Sequence, residues 1–123
     1  MATIKRFEDL EIWQEARRLS KIIHKISIET DLKTDFKFRE QIKSSSGSVM
    51  DNIAEGFERE SNNQFIYFLV IAKGSCGELR TQLYLAMKIK HISEETHTEL
   101  RENCLTISKQ LSNFIKYLKS IKK

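Results

Sequence analysis

Apolar and small residues recur along this chain at alternating intervals of three and four, the spacing that lays them along one side of a helix, in four separate stretches. In the first, about 9–29, the stripe is Ile12, Ala16, Leu19, Ile23 and Ile26, widened by Trp13, Ser20 and Ser27, and Asp9 is its expected N-cap. The opposite face carries Glu15, Arg18, Lys25 and Glu29, so this helix is amphipathic. A polar turn, TDLKTD, offers caps at Thr34 and Asp35 to a second helix, about 36–57, with Phe38, Ile42, Ser45 or Ser46, Val49, Ile53 and Phe57 inside. The third, about 62–90, repeats Phe65, Leu69, Ala72, Cys76, Leu79, Leu83 and Ala86 as a coiled-coil-like seam. Ser93 caps the fourth, about 94–121, where Leu100, Cys104, Ile107, Leu111, Phe114, Leu118 and Ile121 continue the alternation.

The chain is organised around the joint between the second and third helices. Ser61 followed by Gln64 has the form of a capping box and sets a helix start near Asn62. Gly56 and the run Glu58, Arg59, Glu60 interrupt the apolar pattern just before it, which makes the joint a helical hairpin. The run Ser44 to Ser48 has the composition of a linker, but apolar spacing continues through it from Ile42 to Val49 to Ile53, so it reads as helix. Gly47, Gly74 and Gly77 are then expected at close contacts with neighbouring helices. Four amphipathic helices with short turns predict an all-α, up-and-down antiparallel four-helix bundle, one domain over 1–123. Ile22, Ile28, Ile66, Tyr67, Val70, Ile71, Tyr84, Leu85, Ile89 and Ile115 fall beside or outside the seams. A helix apolar on most sides is usually buried on most sides, which points to a subunit interface.

Composition sharpens this picture modestly. With no proline and four glycines confined to residues 47–77, nothing opposes helix elsewhere. No apolar run approaches the roughly 20 residues a membrane span needs, and Met1 to Lys5 lacks the apolar segment of a secretory signal, so the expectation is a cytoplasmic protein. Cys76 and Cys104 are far apart, on seam positions and outside any CxxC pair, and are expected as reduced, inward-facing thiols. His24, His91 and His97 are scattered, without a metal-binding spacing; Glu94 and His97 stand three apart but have no second copy. There is no GxSxG elbow and no P-loop. These residues imply neither enzyme, metal nor cofactor.

The formal charge of +4 favours anionic partners only in general terms. Basic residues cluster on the first helix (Arg17, Arg18, Lys21, Lys25), around the start of the second (Lys33, Lys37, Arg39, Lys43), and near the end (Lys109, Lys116, Lys119, Lys122, Lys123). Acids intrude least in the first two, so Arg17, Arg18, Lys21, Lys25, Lys37, Arg39 and Lys43 are the candidate phosphate contacts. Each cluster also has the plainer reading of a solvated face. Asn52, Glu55, Glu78 and Gln82 lie beside apolar positions of helices two and three. They are expected to form a polar network with one another, with the serines or with Arg39.

Three segments, FEDLEIWQEA, QIKSSSGSVMDNIAEGFER and SNNQFIYFLVIAKGSCGELRTQL, resemble the bacterial proteins encoded in intervening sequences of 23S ribosomal RNA. The resemblance covers nearly the whole chain; it departs in lacking a proline after the first helix and in having Lys43, Ser44 and Ser45 where the family often has arginine-alanine-alanine. It implies a four-helix bundle that assembles as a homopentamer. The accessory variability proteins of diversity-generating retroelements look like relatives, which bind nucleic acid and a reverse transcriptase. The expected function is therefore a noncatalytic oligomeric module contacting RNA or DNA. The alternative is a protein-interaction scaffold, such as a reverse-transcriptase accessory subunit, without its own nucleic-acid site.

Overall fold

The computed structural model describes residues 3–121. Met1, Ala2, Lys122 and Lys123, the last two from the C-terminal lysine cluster, lie outside the described residues. Four helices, α1 (Glu11–Glu29), α2 (Phe36–Phe57), α3 (Asn62–Lys88) and α4 (Glu94–Ser120), account for nearly all of it, and there are no strands among the described residues. Ser48 meets Ser75, Phe57 meets Phe65 and Asp35 meets His91, so α2 and α3 run in opposite directions. Phe65 with Phe114 and Tyr84 with His97 show the same reversal between α3 and α4. Each helix packs on the next in sequence, and the smaller α1–α4 contact closes the bundle.

The predicted seams form the core. Ile12, Ala16, Leu19 and Ile23 of α1, Ile42, Val49 and Ile53 of α2, and the whole α3 seam from Phe65 to Ala86 are buried. Leu100, Cys104, Ile107, Leu111 and Leu118 of α4 join them, with Ile26, Phe38, Phe57, Phe114 and Ile121 half-buried at the margins. The turns contribute more than their polar composition suggests. Leu32, between α1 and α2, is fully buried, and Ile92, between α3 and α4, nearly so. Both turns lie at the same end of an antiparallel bundle, and the Asp35 carboxylate reaches His91 Nε2 there at 3.0 Å.

Several expected boundaries move for identifiable reasons. Helix α1 begins at Glu11 because Phe7–Asp9 form a 3-10 turn that sets the Phe7 ring 5.2 Å from Trp13; Leu10, not Asp9, is the N-cap. Thr34 hydrogen-bonds back to Asp31, and Asp35 takes the N-cap position of α2 without a cap hydrogen bond because its carboxylate is engaged by His91. Ser61 and Ser93 do cap α3 and α4, accepting from the amides of Gln64 and Thr96. Helix α3 stops at Lys88 rather than residue 90, since Lys90 adopts φ 68° and the His91 amide turns back to the Ala86 carbonyl at 2.9 Å. Helix α4 ends at Ser120.

The glycine expectation needs a larger correction. A Cβ on Gly47, Gly74 or Gly77 would meet nothing within 4 Å, so none of them is a contact point between the helices of this bundle. The close approach is at Gly56 in the last turn of α2, where a Cβ would stand 2.8 Å from Phe65 Cδ1, 2.9 Å from Phe68 Cβ and 3.2 Å from the Phe65 carbonyl oxygen. Gly74 and Gly77 of α3 lie away from the core, whose inward positions on this helix are filled by Ala72, Ser75, Cys76 and Leu79.

Two substitutions test this description by denaturant unfolding. Gly56→Ala should destabilise the chain by about 1–3 kcal/mol despite the better helix propensity of alanine, because Phe65 must move. Lys90→Gly should raise stability by up to about 1 kcal/mol, because glycine takes the left-handed conformation without steric cost.

Candidate nucleic-acid interface

The basic residues of α1 emerge opposite its buried stripe. Arg17, Lys21, His24 and Lys25 follow one another at helical spacings of four, three and one, and with Ser20 and Met50 of α2 they line an open groove of about 380 Å³. The Arg17 guanidinium stands 5.7 Å from the Trp13 ring, so it is held by an aromatic face and not by a carboxylate. Arg18 lies on the flank and is paired with Glu15 at 2.6 Å. The groove therefore takes three of the four candidate cations of α1, and adds a histidine. His24 stands seven residues after Arg17, a helical interval that could have marked it from the sequence.

The α2 candidates fall elsewhere. Arg39 donates to Glu40 at 3.0 Å and to the Lys33 carbonyl at 3.2 Å, with its guanidinium over Phe36, and Lys43 shares Glu40 at 3.7 Å. Two cations on one carboxylate leave less free positive charge than the sequence count implies. Lys37 lines a second groove, about 650 Å³, between α2 and α3, with Gln41, Ser44, Ser48, Glu78 and Gln82 among its walls. Lys37, Arg39 and Lys43 thus do not extend the lining of the α1 groove.

The expected polar network is smaller and built differently. Asn52 Nδ2 donates to the Ser48 carbonyl at 2.8 Å and to Ser48 Oγ at 2.9 Å, and Ser48 Oγ meets Ser75 Oγ at 2.9 Å across the α2–α3 interface. Glu55 is exposed and pairs with Arg59 one turn on, and Glu78 is exposed at the rim of the second groove. Carboxylates avoid the serine contact because burial there would strip their hydration with no cation to replace it. Gln82 lies by the same groove with its Oε1 shielded and without a hydrogen-bond partner. The serine contact was foreshadowed by the small residues of the two helices; that Ser48 would meet Ser75 required the register of the hairpin.

Cys76 and Cys104 are free and buried. Loss of hydration on burial pushes the Cys76 thiol up to about 11 and the Cys104 thiol up to about 12, the latter helped by the neighbouring Cys76. Thiols so protonated are poor nucleophiles near neutral pH. Among the described residues no three histidine, cysteine, aspartate or glutamate side chains gather where they could hold a metal ion. Among the described residues no helix is long and apolar enough to cross a membrane.

A four-helix bundle bearing one basic groove, with both thiols sealed in its core, defines a class of small helical module. The model of the 23S rRNA-intervening sequence protein family matches residues 8–113, and the chain belongs to that family. It is also similar to a solved crystal structure of a protein of unknown function from the S23 ribosomal protein family of Bacteroides thetaiotaomicron. That likeness has a TM-score of 0.79 at 24% identity, covers 85% of this chain and 95% of the other, and shows the shared fold. Among curated proteins nothing matches the chain.

Thiol reactivity checks the core. Labelling of both cysteines in the folded protein at pH 8 should be slow and should accelerate on unfolding. In alkali, the unfolded chain releases these protons near the ordinary value of 9.0 while the folded chain holds them until about 11 and 12, so stability should fall as pH rises through that window. A Cys76→Ala, Cys104→Ala variant should show a shallower alkaline decline in Tm.

Proposed function

We propose that this protein is a noncatalytic, self-assembling module that contacts RNA or DNA through the α1 groove. The observation that carries this reading is the convergence of Arg17, Lys21, His24 and Lys25 on one concave face, with no carboxylate among the lining residues. Such a surface suits the phosphate backbone, where affinity comes from neutralised charge and released counterions and sequence is not read. Arg18 adds to it from the flank when phosphate competes with Glu15.

Repetition of the groove in an assembly would convert weak contacts into avidity, because a second contact on the same strand forms at high effective concentration. The half-exposed side chains of the α3 surface supply apolar area for such an assembly. The homopentamer and the reverse-transcriptase partner implied by the family resemblance remain part of this proposal.

Binding to mixed-sequence single- and double-stranded nucleic acid, measured over a salt series, tests the reading. Affinity should fall steeply as salt rises, and Arg17→Glu, Lys21→Glu, Lys25→Glu together should abolish binding at moderate salt while helicity and native mass stay unchanged. Neutralising one of these residues should lower the slope of log K against log salt by roughly one unit if it contacts one phosphate. Unchanged affinity and slope in the triple variant would leave the strip as a solvated face.

A further inference from the structure

The face of α3 turned away from the core carries its own three-four alternation: Tyr67, Val70, Gly74, Gly77, Thr81 and Tyr84. It is open, with Tyr67 62%, Val70 53% and Tyr84 52% exposed, and Leu85 beside it 49% exposed. In heptad terms these are a and d positions, while the buried seam of the same helix, from Leu69 to Ala86, occupies c and f. Helix α3 is thus patterned for contacts on opposite sides, and α2 and α4 cover only the inner one.

The flanks of this outer stripe say which partner fits. Lys73 lies on one edge and Glu78 on the other, five residues further on; both are exposed, and among the described residues neither has an ion-pair partner in its own chain. These are the g and e positions, which face one another from i to i+5 across helices that run in the same direction. A second α3 laid alongside in that direction therefore brings Lys73 against the neighbour's Glu78, and Ile66 against its Ile71, by one operation. Running the helices oppositely would bring the edge bearing Lys73 and Arg80 against itself and set like charges together. The open Cβ positions at Gly74 and Gly77 let two backbones come close midway along the stripe.

We infer that copies of this chain associate through the outer face of α3, with the α3 helices running in the same direction and Lys73 of one copy paired with Glu78 of the next. Because one edge of each subunit meets the other edge of its neighbour, the same contact repeats from copy to copy and builds a closed ring when the rotation between copies divides a full turn. This inference rests on the self-assembling part of the proposed function and assigns the surface that performs it. The α1 groove lies on a different helix, so assembly by α3 does not depend on the nucleic-acid site.

Native mass and sedimentation of the full chain, with four variants, test it. Wild type should be oligomeric, and Gly74→Leu should shift it to monomer with unchanged helicity, since the new side chain enters open space in the isolated bundle. Lys73→Glu and Glu78→Lys should each weaken association at least tenfold, and the double exchange should restore it. A foreign partner would not be rescued by that exchange. A monomeric wild type would overturn self-assembly itself. An oligomer indifferent to Gly74→Leu and to both reversals would overturn the α3 assignment and leave self-assembly standing. Reversals that weaken association without rescue in the double variant would overturn the Lys73–Glu78 pairing.

Discussion

The close approach of α2 and α3 at Gly56 is the constraint on which the remaining geometry depends. With no side chain at Gly56 in the last turn of α2, the Phe65 ring and the Phe68 Cβ come in at distances that would collide with a Cβ. Phe65 is thereby placed edge-on to both Phe57 and Phe114, tying three helices together at that end. Because the hairpin is pinned there, the rise along two antiparallel helices carries Ser48 to Ser75 further up and Asp35 to His91 at the far end. The polar contacts of the interface follow from a steric condition at one residue.

Apart from the shielded Gln82 Oε1, the polar groups in this interface are ones that are satisfied at short range. A serine pair and an asparagine bonded within its own helix turn meet that condition. The carboxylates Glu55 and Glu78 do not, and both stand at the surface. Two cysteines serve the core as small apolar groups, and their burial removes the reactivity that their side chains could have offered. The interior is therefore devoted to packing. The charged groove is on α1 and the apolar stripe is on the outer side of α3.

The sequence by itself determined four helices, their inward seams and two of their caps, because helical periodicity and Ser61 or Ser93 capping are local properties carried within one or two turns. It also marked the α1 strip, since spacings of three and four along one helix translate directly into a shared face. What only tertiary structure decided was the outcome of competition between elements. Asp35 serves His91 instead of its helix end, Glu40 draws Arg39 and Lys43 away from the surface field, and Leu32 of a polar turn is drawn into the core. Above all, a glycine in a helix says only that a neighbour can come close on that side. Which of Gly47, Gly56, Gly74 and Gly77 meets one depends on how the rotation of each helix is set by every other, and in this bundle it is Gly56.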